Sequence, residues 1–168
     1  KIAGEAMCRA FYDRYGLDYV GLRYMNVYGP CQDQHAVYSG VIPIMLNKID
    51  DGEPPTINGD GSQAYDFIYV DDVARSNVLA MESDATDEFY NVGTGIQTTI
   101  RELCDTILDL KQSPLKVTYK PYDADDARRM VQNRIGCPKL AAEQLGFEHE
   151  FSLRQGLQKL IDWRDAGN

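Results

Sequence analysis

Residues 22–30 read LRYMNVYGP, and few local structures accommodate that order. Apolar Val20, Leu22 and Tyr24 alternate with Gly21, Arg23 and Met25. That is the period of a buried strand, and the run ends in a Gly-Pro turn. Asn26 is the first polar side chain where the strand opens out. In an open α/β sheet, ligands gather beyond the carboxyl ends of the strands. Asn26 is therefore expected at a ligand contact.

Strand and helix periods alternate around this stretch. Ala3, Met7, Ala10 and Phe11 give a helical stripe over residues 1–15, with Gly16 suited to end it. The strand itself is expected over residues 18–28. A helix is expected over 40–51, with Pro43 tolerated in its first turn. Short strands follow at 56–58 and 64–70. Asp71 or Asp72 suits the cap of a helix over 73–82. A strand over 88–92 closes on Gly93-Thr94-Gly95. Thr99 with Glu102 is a capping box for a helix over 100–110, and Ser152 with Gln155 is a second one for the last helix. A strand is expected over 116–119. Pro138 opens a helix that ends at Gly146. Residues 122–133 are charged and irregular. The alternation puts the chain in the mixed α/β class.

Composition narrows the partners. The 168 residues carry a formal net charge of −9 and are 43% hydrophobic. A packed core is expected, and nucleic acid and anionic membrane are not favoured partners. Cys8, Cys31, Cys104 and Cys137 are far apart, without a CxxC pair. No zinc site is expected from that spacing. Reduced thiols in a cytoplasmic protein are. No apolar run reaches the roughly 18 residues of a membrane helix.

Taken singly, the polar motifs have structural readings. Gly93-Thr94-Gly95 is a turn or a phosphate cradle. Asp66, inside an aromatic strand, needs a partner if buried: backbone amides or an Arg. The Arg128-Arg129 pair is a solvated face or part of a phosphate site.

Taken in order, the motifs are far more specific. LRYMNVYGP at 22–30, IP at 42–43, GEPPTINGDGSQAYDFIYVDDVA at 52–74, YNVGTG at 90–95, TIREL at 99–103 and LGF at 145–147 resemble the extended short-chain dehydrogenase/reductase family. Within it, the chain is similar to the carboxyl-terminal part of nucleotide-sugar epimerases and dehydratases of the UDP-glucose 4-epimerase type.

The resemblance implies the end of a Rossmann-type domain over residues 1–38. Residues 39–168 would be mainly a small α/β substrate-binding lobe, with some segments returning to the Rossmann sheet. Lys1 matches the family's catalytic Lys, which bonds the nicotinamide ribose. Its partner Tyr would lie four positions earlier, and the glycine-rich dinucleotide loop also precedes this point. A piece of a longer protein, inactive by itself, is therefore expected. The backbone at Tyr24 and Met25 would lie near the nicotinamide of NAD. Asn26 would bond the diphosphate, Val41 would begin the helix closing over the nucleotide, and Thr56 and Asn58 would lie against the base. Many relatives carry an Arg on the diphosphate where this chain has Tyr65. Arg128, Arg129 and Arg134 are candidates to replace its charge, with Arg128 ranked first. The implied reaction is epimerisation at sugar C4 of a UDP-sugar through a keto intermediate, in a homodimer. The alternatives are part of a 4,6-dehydratase or a non-catalytic binding module.

Overall fold

In the computed structural model, residues 1–32, 40–123, 128 and 130–167 are described. Helix α1 (Ile2–Tyr15) ends on Gly16 in the left-handed conformation, as the sequence predicts. The strand expected over 18–28 is two strands, β1 (Val20–Tyr24) and β2 (Asn26–Tyr28). The break has a hydrogen-bonding cause. Met25 N still donates to Val92 O at 2.9 Å, whereas Asn26 N donates to Asp66 O at 2.9 Å. The chain changes partner between two consecutive residues. β1 pairs in parallel with β6 (Glu88–Val92), and β2 pairs in parallel with β5 (Phe67–Tyr69).

The second expected strand divides for the same reason. β4 (Ala64–Tyr65) lies between β7 (Thr98–Thr99) and β9 (Asn133–Arg134). Asp66 N donates to Arg134 O at 3.0 Å, and the chain then continues as β5. β9 falls in a region the sequence pattern leaves irregular. α2 (Val41–Asp50) precedes β3 (Thr56–Asn58), which pairs in parallel with β8 (Thr118–Lys120). α3 (Val70–Glu82), α4 (Ile100–Leu110), α5 (Lys139–Leu145) and α6 (Leu153–Asp165) complete the fold. Both predicted capping boxes are formed, at Thr99–Glu102 and Ser152–Gln155.

α3 starts at Val70, three residues before the expected position, and no side chain caps it. Asp72 is instead fully buried. It accepts hydrogen bonds from Glu150 N at 2.8 Å and Phe151 N at 3.2 Å. Its carboxylate ties down the segment before α6 and pairs with Arg75 of its own helix at 3.2 Å, rather than capping that helix.

Strand β5 separates two cores. Ile68 faces one, with Val73, Tyr90, Val92, Ala141 and Phe147. Phe67 and Tyr69 face the other, with Met45, Leu46, Leu103, Ile107 and Leu157. Alternation along one strand thus feeds both sides. α1 joins neither core: none of its residues is buried, and Met7 and Phe11 of its apolar stripe are 60% and 45% exposed. Among the described residues no helix is long and apolar enough to cross a membrane, and no cluster of His, Cys, Asp and Glu could hold a metal ion.

Candidate ligand cleft

The handover at Met25–Asn26 builds the floor of a cleft of about 700 Å³. Asp66 O accepts both the backbone N–H of Asn26 and its side-chain Nδ2–H, each at 2.9 Å. This pair of hydrogen bonds to one carbonyl holds the Asn26 amide at the start of β2, where it lines the cleft. Asp66 is itself fully buried. Its carboxylate accepts from Thr94 N at 2.9 Å, Thr94 Oγ1 at 2.7 Å and Gly95 N at 2.9 Å. The Gly93-Thr94-Gly95 turn is therefore a cradle for a carboxylate of the chain, not for a phosphate. Gly93 is required there, because a Cβ would run into Asp66 Oδ2 and Met25 Cγ.

The cleft walls come from four further places. Gly40, Val41, Ile42 and Ile44 present the first turn of α2, whose N-terminus has no side-chain cap. Unpaired amides and the helix dipole at such an end favour an anion. Thr56, Ile57 and Asn58 contribute β3, and Tyr65 and Phe67 contribute β4 and β5. Thr56 Oγ1 accepts from Lys48 Nζ at 2.9 Å and lies 3.1 Å from Thr118 Oγ1. Tyr65 donates its hydroxyl to Val131 O at 3.3 Å. Five expected substrate residues, Asn26, Val41, Thr56, Asn58 and Tyr65, thus share one cleft.

The other expected residues lie elsewhere. Arg128 is exposed and is not in the cleft lining, and Arg129 falls outside the described residues. Arg134 is also exposed and outside the cleft lining, and it is the Cα partner of Tyr65 in the parallel β4–β9 pair. Partners in that register project to one face of the sheet. Lys1 is exposed ahead of α1. Tyr24 donates its hydroxyl to Asn77 Oδ1 at 2.8 Å, on the α3 side. The Met25 side chain occupies the gap between Gly93 and Gly136, where an added Cβ on either would meet it.

Sequence reasoning missed Gln32, Gln63, Tyr122 and Met130, all of which line the cleft. Gln63 was detectable as the polar residue next to a buried strand. It is 5% exposed and donates Nε2 to Asn58 O at 3.3 Å. No local pattern marks Tyr122 or Met130.

Among the described lining residues no side chain is charged. Burial pushes the Tyr28 phenol far above its ordinary value, with Tyr69 and Asp72 adding to the effect, so it stays protonated. The arrangement can bind and orient a ligand with a polar, anionic portion. Proton transfer would need groups from outside these lining residues.

An α/β protein with a ligand cleft at strand ends is the class that this fold and site define. The chain belongs to the NAD dependent epimerase/dehydratase family, whose profile matches residues 1–93. It resembles the crystal structure of UDP-glucose 4-epimerase with UDP-glucose from Thermotoga maritima, with a TM-score of 0.91 and 36% identity over 99% of this chain and 52% of that one. The UDP-glucose 4-epimerase of Mycolicibacterium smegmatis is 33% identical over 163 residues, covering 97% of this chain and 50% of that protein. The crystal structure of the Thermus thermophilus UDP-glucose 4-epimerase complex with NAD matches with a TM-score of 0.84 and 30% identity, over 100% of this chain and 53% of that one. The chain spans about half the length of the curated relatives it matches.

Proposed function

We propose that this chain is the nucleotide-sugar-binding part of an NAD-dependent UDP-sugar 4-epimerase, inactive by itself. The observation that carries the reading is the convergence of Asn26, Val41, Thr56, Asn58 and Tyr65 on one cleft beside an uncapped helix N-terminus. Two similar proteins named as UDP-glucose 4-epimerases, at 36% and 33% identity, favour that activity over a dehydratase.

In this reading the diphosphate lies against the first turn of α2 and the Asn26 amide. Arg134 is taken as the source of the positive charge that Tyr65 lacks, on the support of its register beside Tyr65, although neither it nor Arg128 lines the cleft. The cleft's apolar walls hold the nucleoside, and the closed set of internal hydrogen bonds around Asp66 fixes Asn26 before ligand arrives.

The residues present fit one edge of an NAD site. The Tyr24 hydroxyl is bonded to Asn77 and the Met25 side chain fills an internal gap, so their backbone is what remains for a nicotinamide. Lys1, exposed at the head of α1, is free of the core and would bond the nicotinamide ribose. When bound, NAD supplies hydride acceptance from the sugar and its return. This chain's own residues bind and orient the substrate for it.

Residues 1–38 are assigned to the dinucleotide-binding domain and 39–168 mainly to the substrate lobe. The packing of α3, β6 and α5 with β1 supports the return of later segments to the first unit. A cytoplasmic homodimer belongs to the same reading, supported by four free cysteines and the apolar side of α1.

Calorimetric titration of the chain with UDP-glucose and UDP tests the reading. Both are expected to bind, and uridine much more weakly. Arg134→Gln should weaken UDP about tenfold and flatten its salt dependence, whereas Arg128→Gln should change neither. Absence of UDP and UDP-glucose binding would reject the assignment.

A further inference from the structure

The Asn26 amide is aimed by another residue's main chain. One of its side-chain hydrogens, like its own backbone N–H, goes to Asp66 O at 2.9 Å. Where that carbonyl stands therefore decides which way the amide faces. Residue 66 is a junction. Its N–H donates to Arg134 O at 3.0 Å, on the side of β9, while its carbonyl serves the start of β2. The strands before and after it, β4 and β5, have only two and three residues. Short ladders alone would hold this junction loosely.

The carboxylate gives it a further anchor. Thr94 donates its backbone N–H and its hydroxyl to Asp66 Oδ1, at 2.9 and 2.7 Å, and Gly95 N donates to Oδ2 at 2.9 Å. The hydroxyl bond is the shortest of the three, as suits an O–H on a charged acceptor. Ile96 N donates in turn to Thr94 Oγ1 at 3.0 Å. Thr94 Oγ1 thus accepts from one side and donates to the other, which fixes its hydrogen on the carboxylate. Asp66 is fully buried, and neither Asp66 nor Thr94 lines the cleft. Thr94 borders a second cavity, of about 540 Å³, which among the described residues shares only Phe67 with the cleft.

We propose that Thr94 is a positioning residue for the ligand, setting the Asn26 amide through Asp66. The inference rests on the nucleotide-sugar reading, in which Asn26 meets the diphosphate, and adds a residue that never touches the ligand. The contacts form a closed ring. Thr94 lies two residues after Val92, the end of β6. Val92 O accepts from Met25 N at 2.9 Å, and Met25 precedes Asn26, which is bonded to Asp66. Asp66 returns to Thr94. Such a ring orders the amide before binding, so less freedom is lost on association. It also ties the amide to the β1–β6 pair, the strand pair that leads to the backbone assigned to the nicotinamide.

Calorimetric titration with UDP and with inorganic pyrophosphate tests this on the 168-residue chain, Thr94→Val, Thr94→Ser, Asn26→Ala and the double variant of Thr94→Val with Asn26→Ala. Thr94→Val removes the hydroxyl at nearly constant volume and keeps the backbone bond. It should weaken both ligands about fivefold, and Thr94→Ser, which keeps the hydroxyl, should bind both as the parent does. Asn26→Ala should weaken both about tenfold. Adding Thr94→Val to Asn26→Ala should bring no further loss, because the amide through which Thr94 acts is gone. Thr94→Ala removes the same hydroxyl and replaces Thr94→Val if that variant does not fold. Unchanged affinity without the hydroxyl overturns the proposal. So does a full further loss in the Asn26→Ala background, since Thr94 would then act by holding the fold together. A loss that Thr94→Ser shares overturns it as well. A parent chain that binds neither ligand removes the nucleotide reading and this inference with it.

Discussion

Asp66 is a buried carboxylate that, among the described residues, is satisfied by hydrogen bonds from a turn. Its three hydrogen bonds come from Thr94 and Gly95, while its own carbonyl holds Asn26. Asp66→Ala would take the acceptor from two part-buried turn amides and the Thr94 hydroxyl, a loss of about 2 kcal/mol. Urea unfolding should show this as a lower midpoint with an unchanged slope, and Asp66→Asn should lose less. Cys104 offers a second check. Burial, with Asp105 nearby, pushes its thiol up to about 11, whereas Cys8, Cys31 and Cys137 are exposed. A thiol reagent at pH 8 should label three cysteines in the folded chain and reach Cys104 only on unfolding. The need for a partner at Asp66 was legible in the sequence, because a charge in an aromatic strand must be paired. The partner was not, since Thr94 lies 28 residues away.

At the scale of elements, the two capping boxes separate a charged cap from a neutral one. The Thr99 backbone and side-chain hydrogen bonds hold the Glu102 carboxyl below its ordinary value. A carboxyl lowered by folding stabilises above its unfolded range, and that contribution is lost as pH falls through the folded value. The stability gap between the parent chain and Glu102→Gln should therefore narrow as pH falls below the ordinary glutamate range. The Ser152–Gln155 box has no such group. Ser152→Ala should cost about 1 kcal/mol at both ends of that range. Urea titrations at neutral and acidic pH would measure both gaps. Helix ends of this kind were legible because every participant lies within one turn. The divided strands were not. Their breaks at Met25 and Asp66 are set by carbonyls of Val92 and Arg134.

Over the whole molecule, α1 is a helix none of whose residues is buried. Met7, Phe11 and Tyr15, which share one face, are 60%, 45% and 71% exposed, and an apolar face of this kind favours association. The chain should self-associate with rising concentration in sedimentation velocity, despite its net charge of −9. Met7→Glu with Phe11→Glu should return it to monomer. A parent chain that stays monomeric throughout would contradict the expectation. Elsewhere the molecule closes well: Lys111 Nζ reaches Asp50 and Asp165, each at 3.0 Å, and Arg164 reaches Asp50 at 2.8 Å. These pairs join the ends of α2, α4 and α6 beside their common core.

The sequence by itself determined the alternation of strands and helices apart from β7, β9 and the two divided strands, both capping boxes, the ends of α1 and α5 at Gly16 and Gly146, and the string of motifs that marks the family. Each depends on neighbours within a few residues, or on order along the chain. It also named five residues of the cleft. Only the tertiary structure decided that Asp72 serves the segment before α6, that Arg134 is the register partner of Tyr65, and that the Tyr122 ring lies on Gly59. Those outcomes join residues some 60 to 80 positions apart. Which distant carbonyl or ring occupies such a place is fixed by packing around both cores, and no local period encodes it.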